Sequence, residues 1–397
     1  MNRLLQFSFS SLFHLFTLSF LLLACSTNDE SSTSGDDDDA IPTPVFIDVT
    51  YNGDAADVSI PAEAVGLSCS SGGSADVVLS LDSAVTTEYY YRVKGSSANG
   101  SLTINSPYKF TLLMAGLDLT SQTATPAVHL NCGKRIALIL QENTVNNLCD
   151  NALNEKKGCL YTKGHLEIQG GGVLNITGHA RHALAAKEYI QLKKTTGDIN
   201  ILAAAGDGIH CGEGDGDPEN NYFKMNGGIV SFSNVQGDLI DCDDYGTAYI
   251  NGGTLNLTVE GDDAKGLKAD SLIHMTGGTI RLDVSGIAAI GIQANYAAYF
   301  SGGTVLGTVS GLQAIGIKGN NAKSSVTVLD GGNLYFSGTS LSLAITGIAP
   351  TYGIYSEKNI YATGGSLTLS GIADNAPGYR VKGEITGDSY ISWTEEE

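Results

Sequence analysis

The chain has 397 residues, with 42 acidic and 22 basic side chains and a formal net charge of −20 at pH 7. This charge excludes binding of nucleic acid through phosphate contacts, and it repels an anionic polysaccharide unless a cation lies between the two. No segment after the N-terminus combines a helical spacing of apolar residues with capping residues, which excludes a mainly helical fold.

The N-terminal sequence MNRLLQFSFSSLFHLFTLSFLLLAC predicts a lipoprotein signal peptide over residues 1–24. A basic residue precedes a long apolar run that ends in LLAC, the pattern of a lipobox, so we expect Cys25 to become the lipidated first residue. A transmembrane helix is the alternative, and the small residue and the cysteine directly after the apolar run argue against it. The expected location is the outer membrane, with the protein exposed at the cell surface.

Residues 25–45 are predicted to form an acidic, disordered tether. The sequence STNDESSTSGDDDDAIPTP is polar and charged, and it cannot bury enough apolar surface to fold. Its Asp36–Asp39 run resembles the acidic export signal of surface-exposed bacterial lipoproteins. A solvated linker without an export role is the alternative.

A repeat dominates the rest of the chain. Paired glycines begin at Gly227, Gly252, Gly277 and Gly302, a spacing of 25 residues each time. Each repeat holds three short runs of alternating apolar residues separated by Gly and Asp, such as TLNLTV, GLKA and SLIHM, which predicts three strands per repeat. This period predicts an all-β fold, a single-stranded parallel β-helix of roughly 25-residue coils over residues 46–397. The general rule for parallel crossovers makes it right-handed.

A column of apolar residues fixes the register of the coils, because an apolar side chain repeated at the coil interval stacks on itself inside the coil. Its members are Leu160, Leu184, Ile209, Ile240, Leu267, Ile292, Ile317 and Ile354. Cys211 and Cys242 each lie two residues after a member, so we expect both to point inward. Cys149 and Cys159 flank an irregular stretch, and in an exported protein they are expected to form a disulfide.

Charged residues gather at the outward positions beside this column, because adjacent coils lie about 4.8 Å apart and residues one repeat apart touch. The second outward position, directly after each member of the apolar column, is occupied in successive coils by His210, Asp241, Lys268, Gln293 and Lys318. These side chains are expected to stack on one another, and after Lys268 the position is uncharged except at Lys318. The candidate cluster comprises Asp207, His210, Asp238, Asp241, Asp243, Asp244, Asp262, Asp263, Lys265 and Lys268.

Calcium is the expected partner of this cluster. Carboxylates about 5 Å apart repel each other by roughly 3 kcal/mol per pair at an effective dielectric constant of 20. Calcium takes six to eight oxygen ligands in flexible geometry, which suits several aspartates. The alternative is that Lys265 and Lys268 neutralise exposed acids on a solvated face. A second, weaker candidate is the loop after Cys211, where Asp215 and Asp217 alternate without a full EF-hand pattern.

Aromatic and histidine side chains near the cluster are candidate contacts to sugar rings, which stack on aromatic faces. Tyr222, Tyr245 and His210 are the candidates, while Tyr249 alternates within a strand and fits a structural role. His182 lies one coil before Asp207, although histidines in a turn commonly face solvent.

The run DGIHC…YFKMNGGIVSF…GDLIDCDDYGTAYINGGTLNLTVEGDDAKGLKADSLIHMTGGTI resembles the carbohydrate-binding parallel β-helix family of secreted calcium-binding proteins. The resemblance implies a right-handed β-helix, similar in fold to pectate lyases, that binds calcium and cell-wall polysaccharides such as cellulose or polygalacturonate. It matches the calcium ligands to Asp207, Asp241, Asp243 and Asp244, with Asp238 less clearly placed. It puts Lys268, or failing that Lys265, where a lyase has its lysine.

Three functions remain open from the sequence. The first is a monomeric surface lipoprotein that binds cell-wall or acidic polysaccharide with the help of calcium. The second is a calcium-dependent polysaccharide lyase acting by β-elimination. A lysine beside several aspartates has a raised pKa, which argues against its service as a base. The third is a structural or adhesive β-helix without glycan specificity.

Overall fold

The structure is a computed structural model that describes residues 44–71, 74–212, 219–321 and 331–396. The signal peptide with Cys25, the tether up to residue 43 and the loop acids Asp215 and Asp217 lie outside these residues. The described residues belong to one unit, Pro44–Glu397. No helix within them has the length and apolarity that a membrane crossing requires.

Short strands and turns make up almost all of the described chain, as the alternating sequence pattern predicts. Two 3-10 helices, Ala373–Asn375 and Asp388–Tyr390, lie near the C-terminus. The strands of the N-terminal half are β1 Phe46–Asn52, β2 Ala55–Ser59, β3 Leu67–Ser70, β4 Asp76–Leu81, β5 Tyr89–Ser97, β6 Ser101–Asn105, β7 Phe110–Thr120, β8 Val128–Asn131, β9 Ile136–Leu140, β10 Val145–Cys149, β11 Gly158–Thr162, β12 Leu166–Gln169, β13 Val173–Gly178, β14 His182–Ala186, β15 Ile190–Leu192 and β16 Asp198–Ala204. The remaining strands are β17 Ile209–Cys211, β18 Tyr222–Met225, β19 Ile229–Phe232, β20 Ile240–Cys242, β21 Thr247–Ile250, β22 Thr254–Val259, β23 Lys265–Ala269, β24 Leu272–Met275, β25 Thr279–Val284, β26 Ile290–Ala294, β27 Ala297–Phe300, β28 Thr304–Val309, β29 Ile315–Gly319, β30 Asn333–Phe336, β31 Ser340–Ile345, β32 Tyr352–Ser356, β33 Ile360–Ala362, β34 Ser366–Gly371, β35 Tyr379–Val381, β36 Ile385–Thr386 and β37 Ile391–Glu395.

The strands stack as coils of a parallel β-helix, which confirms the predicted fold class. One strand of each coil joins a sheet of 13 strands among the described residues, here called sheet 1, in the order β3-β4-β6-β8-β11-β14-β17-β20-β23-β26-β29-β32-β35. The other two strands of each coil form two parallel columns that the long strand β7 joins, because β7 pairs with both β9 and β10. At the N-terminal end β2 and β3 pair antiparallel with their neighbours, so the first coils are irregular as expected.

The apolar column predicted from sequence is present in sheet 1. Leu184 pairs with Ile209, and the pairing continues through every predicted member to Ile354. The side chain of Ile292, like the others in the column, is fully buried. Cys211 and Cys242 pair with each other in register and are fully buried, as expected. The core is therefore a set of like side chains that stack one coil apart.

The paired glycines of the repeat have two separate physical causes. Gly253 adopts a left-handed backbone with φ of 82°, which L side chains rarely adopt. A Cβ on Gly252 would lie 2.6 Å from the carbonyl oxygen of Asn226 in the preceding coil. The first glycine thus permits close approach of two coils, and the second permits the turn.

One sequence prediction about the framework is wrong. Cys149 and Cys159 are both free, so the expected disulfide is absent. Cys159 is fully buried, and burial raises the pKa of its thiol. Its neutral, buried side chain contributes to the core as a small apolar group does.

A column of stacked aromatic rings lies on the outward face of the neighbouring strands β21, β24, β27, β30 and β33. Its rings stack on one another, with centroid distances of 5.4 Å from Tyr249 to His274, 5.0 Å from His274 to Tyr299 and 4.6 Å from Tyr299 to Tyr335. Tyr335 continues onto Tyr361 at 4.8 Å. The planes deviate from parallel by 10° or less, so each ring face lies against the next ring and the edges face outward.

Candidate functional site

The candidate site lies on the outward side of sheet 1, on β14, β17, β20 and β23 and the turns before them. His210 pairs with Asp241, and Asp241 pairs with Lys268, as the repeat predicts. The same position continues through Gln293 to Lys318. The register inferred from the sequence therefore brings together residues that are far apart along the chain.

Asp207 and Asp238 are held in place by the backbone of the next coil. Asp207 Oδ1 accepts the N–H of Asp238 at 2.9 Å, and Asp238 Oδ1 accepts the N–H of Lys265 at 2.8 Å. Each carboxylate thus fixes the turn that enters the next strand of sheet 1. One oxygen of each has a structural task, and the other oxygen is left for the cluster.

Two stacked histidines meet Asp207 on its second oxygen. Asp207 Oδ2 lies 3.0 Å from His210 Nδ1 and 3.2 Å from His182 Nδ1. The two imidazole rings stack at 4.3 Å with planes 11° apart. Burial alone would raise the pKa of Asp207, but the hydrogen bonds with both histidines outweigh burial and hold it below its usual range.

Asp241 and Lys268 form a largely buried ion pair. Lys268 Nζ donates to Asp241 Oδ2 at 3.2 Å and lies 3.0 Å from Oδ1. Burial alone would lower the pKa of Lys268, but the carboxylates of Asp241, Asp270 and Asp243 outweigh it and raise the pKa above its usual range. Burial raises the pKa of Asp241, although the lysine opposes that rise. The lysine is therefore a firmly held ammonium ion.

Two further carboxyls titrate near neutral pH in the absence of a metal. Burial raises the pKa of Asp238 to about 6. Burial, followed by a hydrogen bond with the Asp243 carboxyl, raises the pKa of Asp270 to about 6. Burial and crowding of these acids thus raise their pKa values, and a bound cation would lower those pKa values again.

Sequence reasoning missed Asp270, and it set aside His182, one coil before Asp207, as a histidine that commonly faces solvent. Asp270 lies 3.7 Å from Lys268 Nζ and accepts from Asn295, which in turn accepts from Asn320. The signal was available, since Asp243, Asp270, Asn295 and Asn320 all follow the second outward position by two residues. His182 pairs with Gly158 at the start of β14, two residues before Leu184, and it reaches the site only because its ring stacks forward onto His210.

Three predicted site residues have contacts other than the carboxylates that could hold a metal. Asp262 Oδ1 accepts the N–H of Ile287 at 2.9 Å, and the backbone carbonyl of Asp263 accepts from Lys265 Nζ. Both therefore organise the turn before β23. Tyr222 lies on the larger sheet, where its ring stacks on that of Tyr189 with the ring centroids 4.5 Å apart.

Asp244 and Tyr245 form a strained turn directly after Asp243. Both have left-handed backbones, with φ of 49° and 64°. Each such non-glycine residue costs about 1 kcal/mol or more. The carbonyl of Asp244 accepts from the buried Asn221 at 2.9 Å, which helps to hold this turn. The same turn carries Tyr245, whose contact with a sugar ring stays a prediction.

Two groups of side chains within the described residues could hold a metal ion, because their ligand atoms lie within 4.8 Å of one another. They are His182, Asp207 and His210, and Asp207, Asp238 and Asp241. The second group is all oxygen, and the buried Asp241 Oδ1 lies 3.0 Å from the ammonium of Lys268. These carboxylates fit a hard cation such as calcium, which prefers oxygen ligands.

The histidine group fits a metal less well as arranged. An imidazole lone pair lies in the plane of its ring, and the planes of His182 and His210 are nearly parallel and stacked. A single ion cannot lie in both planes unless one ring rotates. The observed geometry instead suits the two rings as partners of one carboxylate, Asp207.

The fold and this surface define a parallel β-solenoid with a compact charged site on one sheet. The chain belongs to the family of carbohydrate-binding domain-containing proteins, whose model matches residues 81–386 and so includes the whole site. The carbohydrate-binding family predicted from the sequence is thereby confirmed, while its calcium binding stays a prediction. No curated protein matches the chain. A polysaccharide lyase-like protein from C. thermocellum, solved as a gadolinium derivative, is similar in structure, with 13% identity, coverage of 88% of this chain and 100% of that one, and a TM-score of 0.36.

Proposed function

We propose that this protein binds a cell-wall polysaccharide on the outward face of sheet 1, with calcium held by Asp207, Asp238 and Asp241. The observation that carries the proposal is the convergence of these three carboxylates from two adjacent coils inside a carbohydrate-binding domain. The raised pKa of Asp238, caused first by its burial and in part by the nearby Asp241 and Asp207, supports it further, because a cation would relieve the cost of charging these carboxyls.

Calcium, when bound, would neutralise the carboxylates and offer coordination positions to sugar hydroxyls or to a uronate. The chain's own residues fix the geometry. Asp207 and Asp238 are each oriented through Oδ1 by a backbone N–H group of the next coil, and the two histidines also position Oδ2 of Asp207. Lys268 holds Asp241 in place through its ion pair and adds a donor for a sugar oxygen. Tyr245, on the strained turn after Asp243, is the proposed aromatic contact to the sugar.

The location is part of the same proposal. A lipid on Cys25 would anchor the protein to the outer membrane, and the acidic tether of residues 25–45 would hold the β-helix away from the lipid surface. The sequence pattern of the first 25 residues supports this.

A lyase is the second candidate, and the geometry disfavours it. β-Elimination needs a neutral base, whereas the pKa of Lys268 is raised by its carboxylate neighbours. The Nζ of Lys265 donates a hydrogen bond to the backbone carbonyl of Asp263. Incubation with polygalacturonate and calcium tests the point, since growth of the ultraviolet absorbance of an unsaturated uronate would show elimination and would overturn the binding-only proposal.

A glycan array probed with and without a chelator tests the proposal as a whole. We expect retention of at least one polysaccharide in calcium and loss of that signal in the chelator. Asp241→Asn should lose binding, and the matched control Asp283→Asn, an exposed acid on β25 of the larger sheet, should keep it. Retention of no glycan by the wild-type chain would leave only a structural or adhesive β-helix.

A further inference from the structure

Two neighbouring coils differ in length, and this difference produces a cleft beside the acidic cluster. Strands β19 and β22 stack as neighbours, and their pairing ends at Ser231 with Asn256. The next pairing, in sheet 1, joins Ile240 to Leu267. Nine residue steps separate Ser231 from Ile240, and eleven separate Asn256 from Leu267. The longer coil therefore bulges past the shorter one, and the two turns do not close on each other.

The opening has a volume of about 500 Å³, within the range of small-ligand sites. One wall is the turn 232–237 with Leu239, and the other is the segment 258–261 with Ala264. Asp238 belongs to the same segment as the first wall, because it lies between the lining residues Gly237 and Leu239. The cleft and the proposed calcium site are thus adjacent parts of one surface.

The backbone of β22 contributes to this cleft. Its pairing with β25 on the far side continues to Val259, three residues beyond the point where pairing with β19 ends. The near edge of Leu257–Val259 is therefore not covered by a strand. A strand edge presents backbone donors and acceptors that a ligand can use.

The side chains of the cleft combine apolar and uncharged polar groups. Val235 and Leu239 give an apolar surface, while Asn234 and Gln236 supply exposed amides that both donate and accept. Among the described lining residues Glu260 is the single charged side chain, and no ammonium or guanidinium group lines the cleft. A pyranose ring offers the same combination, with hydroxyls at its edge and C–H groups on its face.

We infer that this cleft binds a neutral hexopyranose residue of the polysaccharide, and this inference rests on the proposed glycan-binding function. A uronate is disfavoured here, because Glu260 would repel its carboxylate and no basic side chain of the cleft would pair with it. The cleft therefore selects a neutral stretch of glycan next to the cation site. It narrows the expected partner to a polysaccharide that contains neutral sugar residues.

The test compares two tryptophan substitutions in one column. Thr258 lines the cleft, and Thr308 occupies the same outward column two coils further along, through Asp283. Binding of cellohexaose and of hexagalacturonate to the full-length protein is measured by calorimetry at one fixed calcium concentration. We expect Thr258→Trp to weaken cellohexaose binding about tenfold or more, as for loss of a central contact, and Thr308→Trp to leave it unchanged.

Melting temperatures of both variants check that the tryptophans are tolerated. Should Thr258→Trp unfold, Gln236→Ala removes an exposed amide instead, and we expect it to weaken cellohexaose binding about threefold to tenfold. Equal cellohexaose affinity in Thr258→Trp, Thr308→Trp and wild type would contradict sugar binding in the cleft, while leaving the proposed function intact. A loss confined to hexagalacturonate would overturn the neutral-sugar assignment. Failure of the wild type to bind any glycan would overturn both proposals together.

Discussion

Lys268 and Asp241 form an ion pair between adjacent coils of sheet 1, with Lys268 Nζ 3.0 Å from Asp241 Oδ1. Their side chains are 21% and 10% exposed, so water screens the pair only partly. The pair explains two features at once. It keeps the lysine protonated, and it holds one carboxylate of the proposed calcium site in a fixed position.

Removal of one partner should destabilise the protein more than removal of both. In chelator, Asp241→Ala leaves a mostly buried ammonium without its main counter-charge, and we expect a loss of about 3 kcal/mol in unfolding free energy. The double variant Asp241→Ala with Lys268→Met should lose less. Urea unfolding of the single and double variants measures the coupling. Additive losses would show that the pair contributes no interaction energy.

Asp238 should make the metal-free protein less stable as pH rises from about 4 to about 6. Its pKa is raised from the ordinary 3.8 to about 6, so over this interval the folded state holds a proton that the unfolded state has released. Unfolding free energy therefore falls with rising pH, by about 2 kcal/mol at most. Asp270, with its pKa also raised to about 6, acts in the same direction.

Asp238→Asn should flatten this slope, because an amide oxygen can still accept the N–H of Lys265 while carrying no charge. Urea unfolding in chelator at several pH values between 4 and 7 provides the measurement. Asp283→Asn, with its exposed side chain on β25, serves as the control and should keep the wild-type slope. An unchanged slope in Asp238→Asn would mean that Asp238 ionises normally in the folded state.

Calcium should raise the melting temperature of the wild type. A ligand present at a hundred times its dissociation constant stabilises the folded state by about 2.7 kcal/mol. Asp207→Asn and Asp241→Asn should each abolish most of the shift. Differential scanning calorimetry with calcium, with magnesium and with chelator measures it. A shift that survives in both variants would place the ion elsewhere on the protein.

The column of stacked rings should contribute to stability without contributing to glycan binding. Tyr299 stacks on His274 and on Tyr335, so Tyr299→Ala removes two ring contacts worth about 1–3 kcal/mol together, beyond the lost burial. The exposed Tyr390 provides the control substitution to alanine. Unchanged glycan affinity in Tyr299→Ala is expected because neighbouring rings cover both faces of this ring. A tenfold loss of affinity would instead make the column a binding surface.

Most of the framework could be predicted from the sequence because each coil repeats the same physical problem. An inward apolar residue must stack on its counterpart, so the column from Leu184 to Ile354 was visible as a spacing. The glycine pairs were visible for the same reason, since the close approach at Gly252 and the left-handed turn at Gly253 recur in the successive coils from Gly227 to Gly303.

The details of the site were harder to predict, because they depend on which way side chains lean between coils. The register placed Asp241 beside Lys268, yet it could not show that His182 stacks onto His210 or that Tyr222 joins the ring column. The disulfide prediction failed because closeness in sequence between Cys149 and Cys159 does not fix the direction of their side chains. The cleft arises from a two-residue difference between two coils, which becomes a cavity only when both turns are placed.

Calcium titration followed by glycan titration on the same sample tests the central claim most directly. We expect the polysaccharide retained on the array to bind at least about tenfold more tightly with calcium than in chelator, with Asp241→Asn behaving in calcium as the wild type does in chelator. Equal affinity of the wild type in calcium and in chelator would contradict the account, since the carboxylate cluster would then have no part in glycan recognition.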